Sequence, residues 1–268
     1  EMALIRYRLM VEVEYFIALG NEKKVKELKP LTAAEQKQFR SVYKNFTLDD
    51  AEAIKKTEET TNHDVKAVEY FLKSVLQKMG LGKQQEFVHF ALTSEDVNNL
   101  AYSLMWRDGL TEVSLPAIAD VLKSIQSFAR EYKDEPMLAL THGQPATPTT
   151  VGKEFAVFAA RLRRQLESLK QHTLLGKLNG ATGGYNAMVV SYPSVNWPVF
   201  SKKFVASLGL EFNPVTTQIE PHDSLAEQFR LVQHINTILL DFTRDMWLYI
   251  YRGIFGQKKK AGEIGSST

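Results

Sequence analysis

Asp223-Ser-Leu-Ala-Glu-Gln-Phe-Arg-Leu-Val-Gln-His-Ile-Asn-Thr-Ile-Leu-Leu-Asp-Phe-Thr-Arg-Asp-Met-Trp-Leu-Tyr-Ile-Tyr-Arg252 contains neither proline nor glycine. Leu231, Ile235, Ile238, Leu239, Phe242, Met246 and Ile250 recur at helical spacing, which predicts one continuous amphipathic helix. At 1.5 Å per residue it would be about 45 Å long. Helices of that length usually belong to bundles or coiled coils. A membrane-surface or partner helix would share the spacing, but Asp241, Arg244 and Asp245 interrupt its apolar stripe.

Two more long helices are expected upstream, from about Leu110 to Tyr132 and from after Pro148 to about His172. Shorter ones precede them. Leu9, Val13, Phe16 and Ile17 form one stripe. Thr32 and Glu35 have capping-box spacing, and Thr47 to Asp50 opens another helix with acids in its first turn. Asp64 is the expected cap of a helix carrying Val65, Val68, Leu72, Val75, Leu76 and Met79, ended by Gly80. Ser94-Glu-Asp96 caps a helix with Val97, Leu100, Ala101, Leu104 and Met105. Strand candidates are short, such as Ala187-Met-Val-Val-Ser191, and Asn179 to Asn186 reads as a flexible loop. The fold class is therefore all-α. A boundary at the Gly80-Leu-Gly82 turn gives an N-terminal helical domain, 1–82, and a helical-bundle domain, 83–268, which the resemblance given below implies is the partial central bundle.

Composition narrows the function. The 268 residues carry 33 basic and 31 acidic side chains, a net charge of +2, too even for a polybasic nucleic-acid surface or an acidic tail. Cysteine is absent, which excludes disulfide frameworks, zinc–thiolate sites and cysteine nucleophiles. The nine prolines and fifteen glycines fall below their usual share of about 12%. No apolar run reaches the ~18 residues of a membrane span, and Glu1 to Arg6 is not a secretory leader. The expected location is cytoplasmic, with no membrane partner.

The polar chemistry lies in the connections. Asn62, His63 and Asp64 precede a helix and offer donors and acceptors to an anion; a plain capped turn would use the same residues. Thr93 and Ser94 open another helix, where a capping box alone would explain them. Thr141-His-Gly-Gln-Pro-Ala-Thr-Pro148 sets His142, a proton carrier near neutral pH, among two prolines and a glycine; a loop histidine can also be simply exposed. Asn179 to Gly184 could hold an anion on successive N–H groups, although it is neither a dinucleotide fingerprint nor a P-loop. Gln218 could read a polar ligand, or belong to a helix-entry turn capped by Asp223. The hydroxyls of Gly262-Glu-Ile-Gly-Ser-Ser-Thr268 could serve as nucleophile or base, or lie in a flexible tail. His63, His89, His142, His172, His222 and His234 show no His-x-x-x-His pair, so no metal site is expected.

Five collinear segments carry a resemblance: Thr60-Thr-Asn-His-Asp-Val-Lys-Ala-Val-Glu-Tyr70, Val88-His-Phe-Ala-Leu-Thr-Ser-Glu-Asp-Val-Asn-Asn99, Thr141 to Pro148, Thr217-Gln-Ile-Glu-Pro-His-Asp223 and Gly265-Ser-Ser-Thr268. Together they resemble the fumarase/aspartase superfamily and, within it, the bacterial adenylosuccinate lyase branch. The resemblance implies a homotetramer whose active sites form where loops of three subunits meet. It implies cleavage of an anionic succinyl-purine nucleotide: adenylosuccinate to AMP and fumarate, and the succinyl-aminoimidazole carboxamide ribotide to the free carboxamide and fumarate. No cofactor, metal or nucleic acid is implied. Ser266 would be the base and His142 the acid. Asn62, His63, Asp64, Thr93, Ser94, Gln218 and Ser267 would contact substrate, with His89 a further contact to phosphate. Another fumarate-releasing lyase, such as argininosuccinate lyase, and a non-catalytic helical assembly protein are the alternatives. The family continues past Ser-Ser-x into Met-Pro-x-Lys-x-Asn-Pro and a third helical domain, and has an early Arg-Tyr contact before the position of Glu1. The chain is thus expected to be a fragment, inactive alone.

Overall fold

A computed structural model describes residues 1–258 and 260–264. Its described residues are dominated by helices: α1 (Met2–Gly20), α2 (Ala33–Lys44), α3 (Leu48–Thr61), α4 (Asp64–Lys78), α5 (Ser94–Gly109), α6 (Leu115–Glu131), α7 (Val151–Gln171), α8 (Asn186–Ser191), α9 (Trp197–Ser207) and α10 (Asp223–Tyr251). Strands β1 (Pro136–Thr141) and β2 (Gln144–Thr150) pair antiparallel; β3 (Leu175–Gly176) and β4 (Glu211–Phe212) make a short parallel pair. No helix among the described residues is long and apolar enough to cross a membrane.

Contacts divide the chain into two compact units, 1–113 with 173–226 and 114–172 with 227–268. This differs from the boundary expected at residue 82. There, α4 continues into a 3₁₀ turn at Gly82–Phe87 that packs back on it, so both sides of the glycine turn belong to the first unit.

The first unit is built around α1. Leu9, Val13, Phe16 and Ile17 are all buried, as their spacing requires. Tyr15 meets Phe200 and Phe204 edge-on, at 6.1 and 5.7 Å between ring centres, and Phe16 meets Phe39 at 5.5 Å. Leu72, Leu76, Leu100 and Leu104 complete this core from α4 and α5. The capping boxes at Thr32/Glu35 and Thr47/Asp50 form as expected. Two other caps shift by one residue. His63 caps α4, its Nδ1 accepting the Lys66 N–H at 3.1 Å, while Asp64 is the helix's first residue. Thr93, not Ser94, is the N-cap of α5.

In the second unit α6 packs on α7, with the Phe128 and Phe155 rings 4.2 Å apart. A Cβ at Gly152 would lie 2.3 Å from the Ala129 carbonyl oxygen, so the absence of a side chain permits this crossing. Phe242 of α10 adds to the same cluster, 5.6 Å from Phe155, and Arg161 pairs with Asp241 at 2.8 Å. The segment read as a helix from Leu110 begins as a π-turn, Leu110–Ser114. Pro116 has no N–H for the Glu112 carbonyl, which disfavours a regular α register there.

Two further expectations are corrected. Ala187–Ser191 is helical within α8 rather than extended. The segment from 179 is no flexible loop at its start: Asn179 is fully buried, for a reason given below.

Candidate functional site

Two charged residues one helical turn apart on α1 face inward. Arg8 is 4% exposed and Glu12 1%. A buried charge requires a partner, and each has one among the residues singled out by sequence. Arg8 bonds Asp64 (2.5 Å) and the side chain of Asn98 in α5 (2.8 Å). Glu12 meets His89 twice, at ring Nδ1 (2.5 Å) and at the main-chain N–H (3.2 Å). Burial alone would discharge His89. The Glu12 carboxylate outweighs it, with smaller contributions from Glu69 and Asp96, and the pKa stands above the ordinary histidine value. Asp64 shows the reverse case. Burial opposes ionisation, but Arg8 and the Val65 N–H hold its pKa below the usual carboxylate value.

The turn between α3 and α4 presents Asn62 and His63 to solvent. Asn62 is left-handed (φ 49°), a conformation asparagine tolerates better than most residues. The His63 cap uses Nδ1 as acceptor, so a neutral ring carries its proton on the outward Nε2.

Gln218 donates from Nε2 to the Thr93 hydroxyl at 3.2 Å, joining two positions 125 residues apart. Beneath them lies a buried polar network. Asp96 accepts main-chain N–H groups from Thr93 (3.0 Å), Asn179 (3.1 Å) and Gly180 (3.2 Å), and pairs with the Lys177 ammonium at 3.0 Å. Successive N–H groups at 179 and 180 do hold an anion, and that anion is the protein's own Asp96. Lys177 also donates to the carbonyls of Gly180 (2.9 Å) and Gln218 (2.6 Å). Gly183, left-handed at φ 76°, lies so close to the 216–217 backbone that a Cβ would be 2.1 Å from the Thr216 carbonyl oxygen. Asn179 and Thr216 are joined side chain to side chain at 2.8 Å.

Beside this network His222, also left-handed (φ 60°), stands 3.5 Å from carboxylate oxygens of both Glu95 and Glu220. Burial raises the Glu95 pKa, against the opposing charges of His222 and Lys177. A separate cleft of about 420 Å³, lined by Asn21, Lys24, Asn196 and Lys203 among others, contains none of the polar site residues described here.

His142 belongs to the second unit. Thr141 pairs with Gln144 across β1 and β2, leaving His142 (φ 50°) and Gly143 (φ 76°) as a two-residue turn with both φ positive, the geometry favoured at hairpin tips. His142 is exposed there. Pro145 and Pro148 fit because a two-stranded ribbon has free edges. Ser266 and Ser267 lie outside the described residues.

Thus Asn62, His63, Asp64, His89, Thr93, Ser94 and Gln218 share the first unit; Arg8 and Glu12 of α1 hold Asp64 and His89, and Gln218 meets Thr93 at the start of α5. Sequence reading missed Arg8, Glu12 and Lys177. The available signal was a charge inside an apolar run: Arg8 and Glu12 in the buried stripe of α1, and Lys177 between Leu174 and Leu178. No group of three or more His, Asp or Glu residues among the described residues is placed to hold a metal ion.

Comparison with known proteins adds the context. A sequence profile of a family described as lyase matches residues 4–268. The chain is 49% identical over 269 aligned residues to the adenylosuccinate lyase of Escherichia coli K12, covering all of this chain and 59% of the relative. It is 48% identical to that of Haemophilus influenzae, with the same coverage. The chain thus spans about 59% of the length of these curated relatives. Among solved structures, a fumarate lyase from Mesorhizobium superposes with a TM-score of 0.75 at 20% identity, covering 93% of this chain and 55% of that one. The β-carboxy-cis,cis-muconate cycloisomerase of Acinetobacter calcoaceticus gives 0.70 at 19%, covering 93% and 56%. These two likenesses concern the fold.

Proposed function

The chain belongs to the lyase family, and on that premise we propose that, within the full-length architecture of its relatives, it cleaves adenylosuccinate to AMP and fumarate. The succinyl-aminoimidazole carboxamide ribotide is the expected second substrate, giving the free carboxamide and fumarate. The observation that carries this reading is the 49% identity to an adenylosuccinate lyase along the whole chain.

The chemistry is a β-elimination. A base takes the proton from carbon beside a carboxylate, the electron pair forms the C=C bond of fumarate, the C–N bond breaks, and an acid supplies a proton to the leaving nitrogen. In this reading Ser266 is the base and His142 the acid. A placed acid is worth about 10²–10⁴-fold. Donors aimed at the charge developing on the carboxylate contribute about 3–4 kcal/mol each. The Gln218 amide, the Thr93 and Ser94 hydroxyls, Asn62 and outward His63 Nε2 are donors of that kind. His89, whose pKa Glu12 raises, suits the phosphate; Asp64, its pKa lowered by Arg8, supplies an acceptor for ribose or base; Ser267 is a further substrate contact. The reading needs no cofactor or metal. It brings with it self-association into a homotetramer, taken from the family resemblance, and a cytoplasmic location is part of the same proposal.

The test is substrate profiling of a protein of the relatives' full length carrying this sequence. Fumarate release from adenylosuccinate, but not from argininosuccinate or aspartate, is expected. Turnover of argininosuccinate alone would favour another lyase of the superfamily. The polypeptide 1–268 by itself is expected to release none.

A further inference from the structure

We propose that Lys177 is a positioning residue for the substrate-facing pair Thr93 and Gln218, so that a buried ammonium sets substrate affinity without touching substrate. The inference rests on the reading above and adds a residue to it.

Lys177 is fully buried, as is Asp96. Its three partners lie on different segments: the Asp96 carboxylate in the first turn of α5, the Gly180 carbonyl in its own loop, and the Gln218 carbonyl in the approach to α10. Each ammonium hydrogen has an acceptor, and no donor is left over. Asp96 is equally occupied, holding the N–H groups of Thr93, Asn179 and Gly180 besides Lys177. The pair therefore grips the main chain at both residues whose side chains meet on the surface: Thr93 through its N–H and Gln218 through its carbonyl.

A purely structural ion pair has no reason to hold these two main-chain atoms in particular. Gln218 is exposed, and an exposed glutamine loses conformational freedom when it binds a ligand. Gln218 is already part-ordered by the bond to Thr93. That bond requires the 216–218 backbone to stay in register with the start of α5, and the Lys177 ammonium bridges them. Gly183 lies against the Thr216 backbone and Asn179 binds the Thr216 hydroxyl, so the loop 177–183 holds the 216 region from two sides.

The test is a double-mutant cycle on a full-length protein, reading KM and kcat separately. Lys177→Met and Gln218→Ala are each expected to raise KM for adenylosuccinate on the order of tenfold. In the Gln218→Ala background, Lys177→Met should add less than about threefold, because groups acting through one contact are not additive. Lys177→Arg keeps the charge beside Asp96 but displaces the donor from the Gln218 carbonyl, and serves if Lys177→Met does not fold. It should show the same coupling. Multiplicative effects on KM would overturn the proposal, as would a lowered thermal midpoint with KM unchanged. If Gln218→Ala itself leaves KM unchanged, the assignment of Gln218 as a substrate contact fails too. If the unsubstituted protein does not turn over adenylosuccinate, the functional reading is what has failed.

Discussion

Glu12 binds His89 at two atoms, the ring Nδ1 and the main-chain N–H, and so both favours the protonated imidazole and braces the left-handed turn that carries it. The folded-state pKa of His89 is raised above the unfolded value near 6.5. The stabilisation it brings is therefore fully present below about pH 6.5 and is lost as pH rises through the folded value.

Glu12→Gln should consequently destabilise the protein most at about pH 6, by roughly 3–5 kcal/mol as for other broken buried pairs. The difference from the unsubstituted protein should shrink as pH rises through the folded value of His89. Thermal unfolding across that range checks it; a difference independent of pH would show that Glu12 does not raise the His89 pKa.

Arg8→Met should act with the opposite pH dependence. Asp64 has a folded pKa below its unfolded one, so its contribution is present above about pH 4 and is lost as pH falls through the lower folded value. The stability gap between the variant and its parent should be widest near neutrality and narrow in acid, measured by circular dichroism.

Two glycines should respond in opposite directions to alanine. Gly183→Ala places a Cβ against the Thr216 carbonyl at positive φ, costing roughly 1–3 kcal/mol from backbone strain and more from the overlap. Gly109, at the end of α5, has open space around its missing Cβ and no positive φ. Gly109→Ala should stabilise by about 0.5–1 kcal/mol. Chemical denaturation of each variant measures both.

His142→Asn retains a residue that accepts the left-handed turn but cannot deliver a proton. In a full-length protein kcat should fall by about 10²-fold or more with the thermal midpoint held. His142→Val should lose a further 1–2 kcal/mol or so of stability, because a β-branched residue resists that conformation. Loss of stability without loss of kcat in the asparagine variant would remove His142 from the chemistry.

The sequence patterns were most informative where structure is set locally. The stripe of α1, the two capping boxes and the extent of α10 depend on neighbours within a few residues, and the spacing of Leu9, Val13, Phe16 and Ile17 was enough to place them. What stayed hidden depends on distant partners. Asn179 to Gly184 reads as a loose glycine loop because its bound anion, Asp96, is contributed from 83 residues away. The hairpin around His142 was obscured by Pro145 and Pro148, which argue against a strand unless its edge is free. The roles of Arg8 and Glu12 were concealed because a charge in a helix usually marks its wet face, whereas here α1 has almost none.

The discontinuity of the first unit sets an order on its making. On a ribosome adding about 5–20 residues each second, the carboxylate at position 96 emerges about 4–17 s before the loop whose N–H groups will enclose it, given the 83 residues between them. Throughout that interval this part of the nascent chain holds a carboxylate without its Lys177 partner where an interior will be, so that interior closes around it only after the intervening segment has been synthesised.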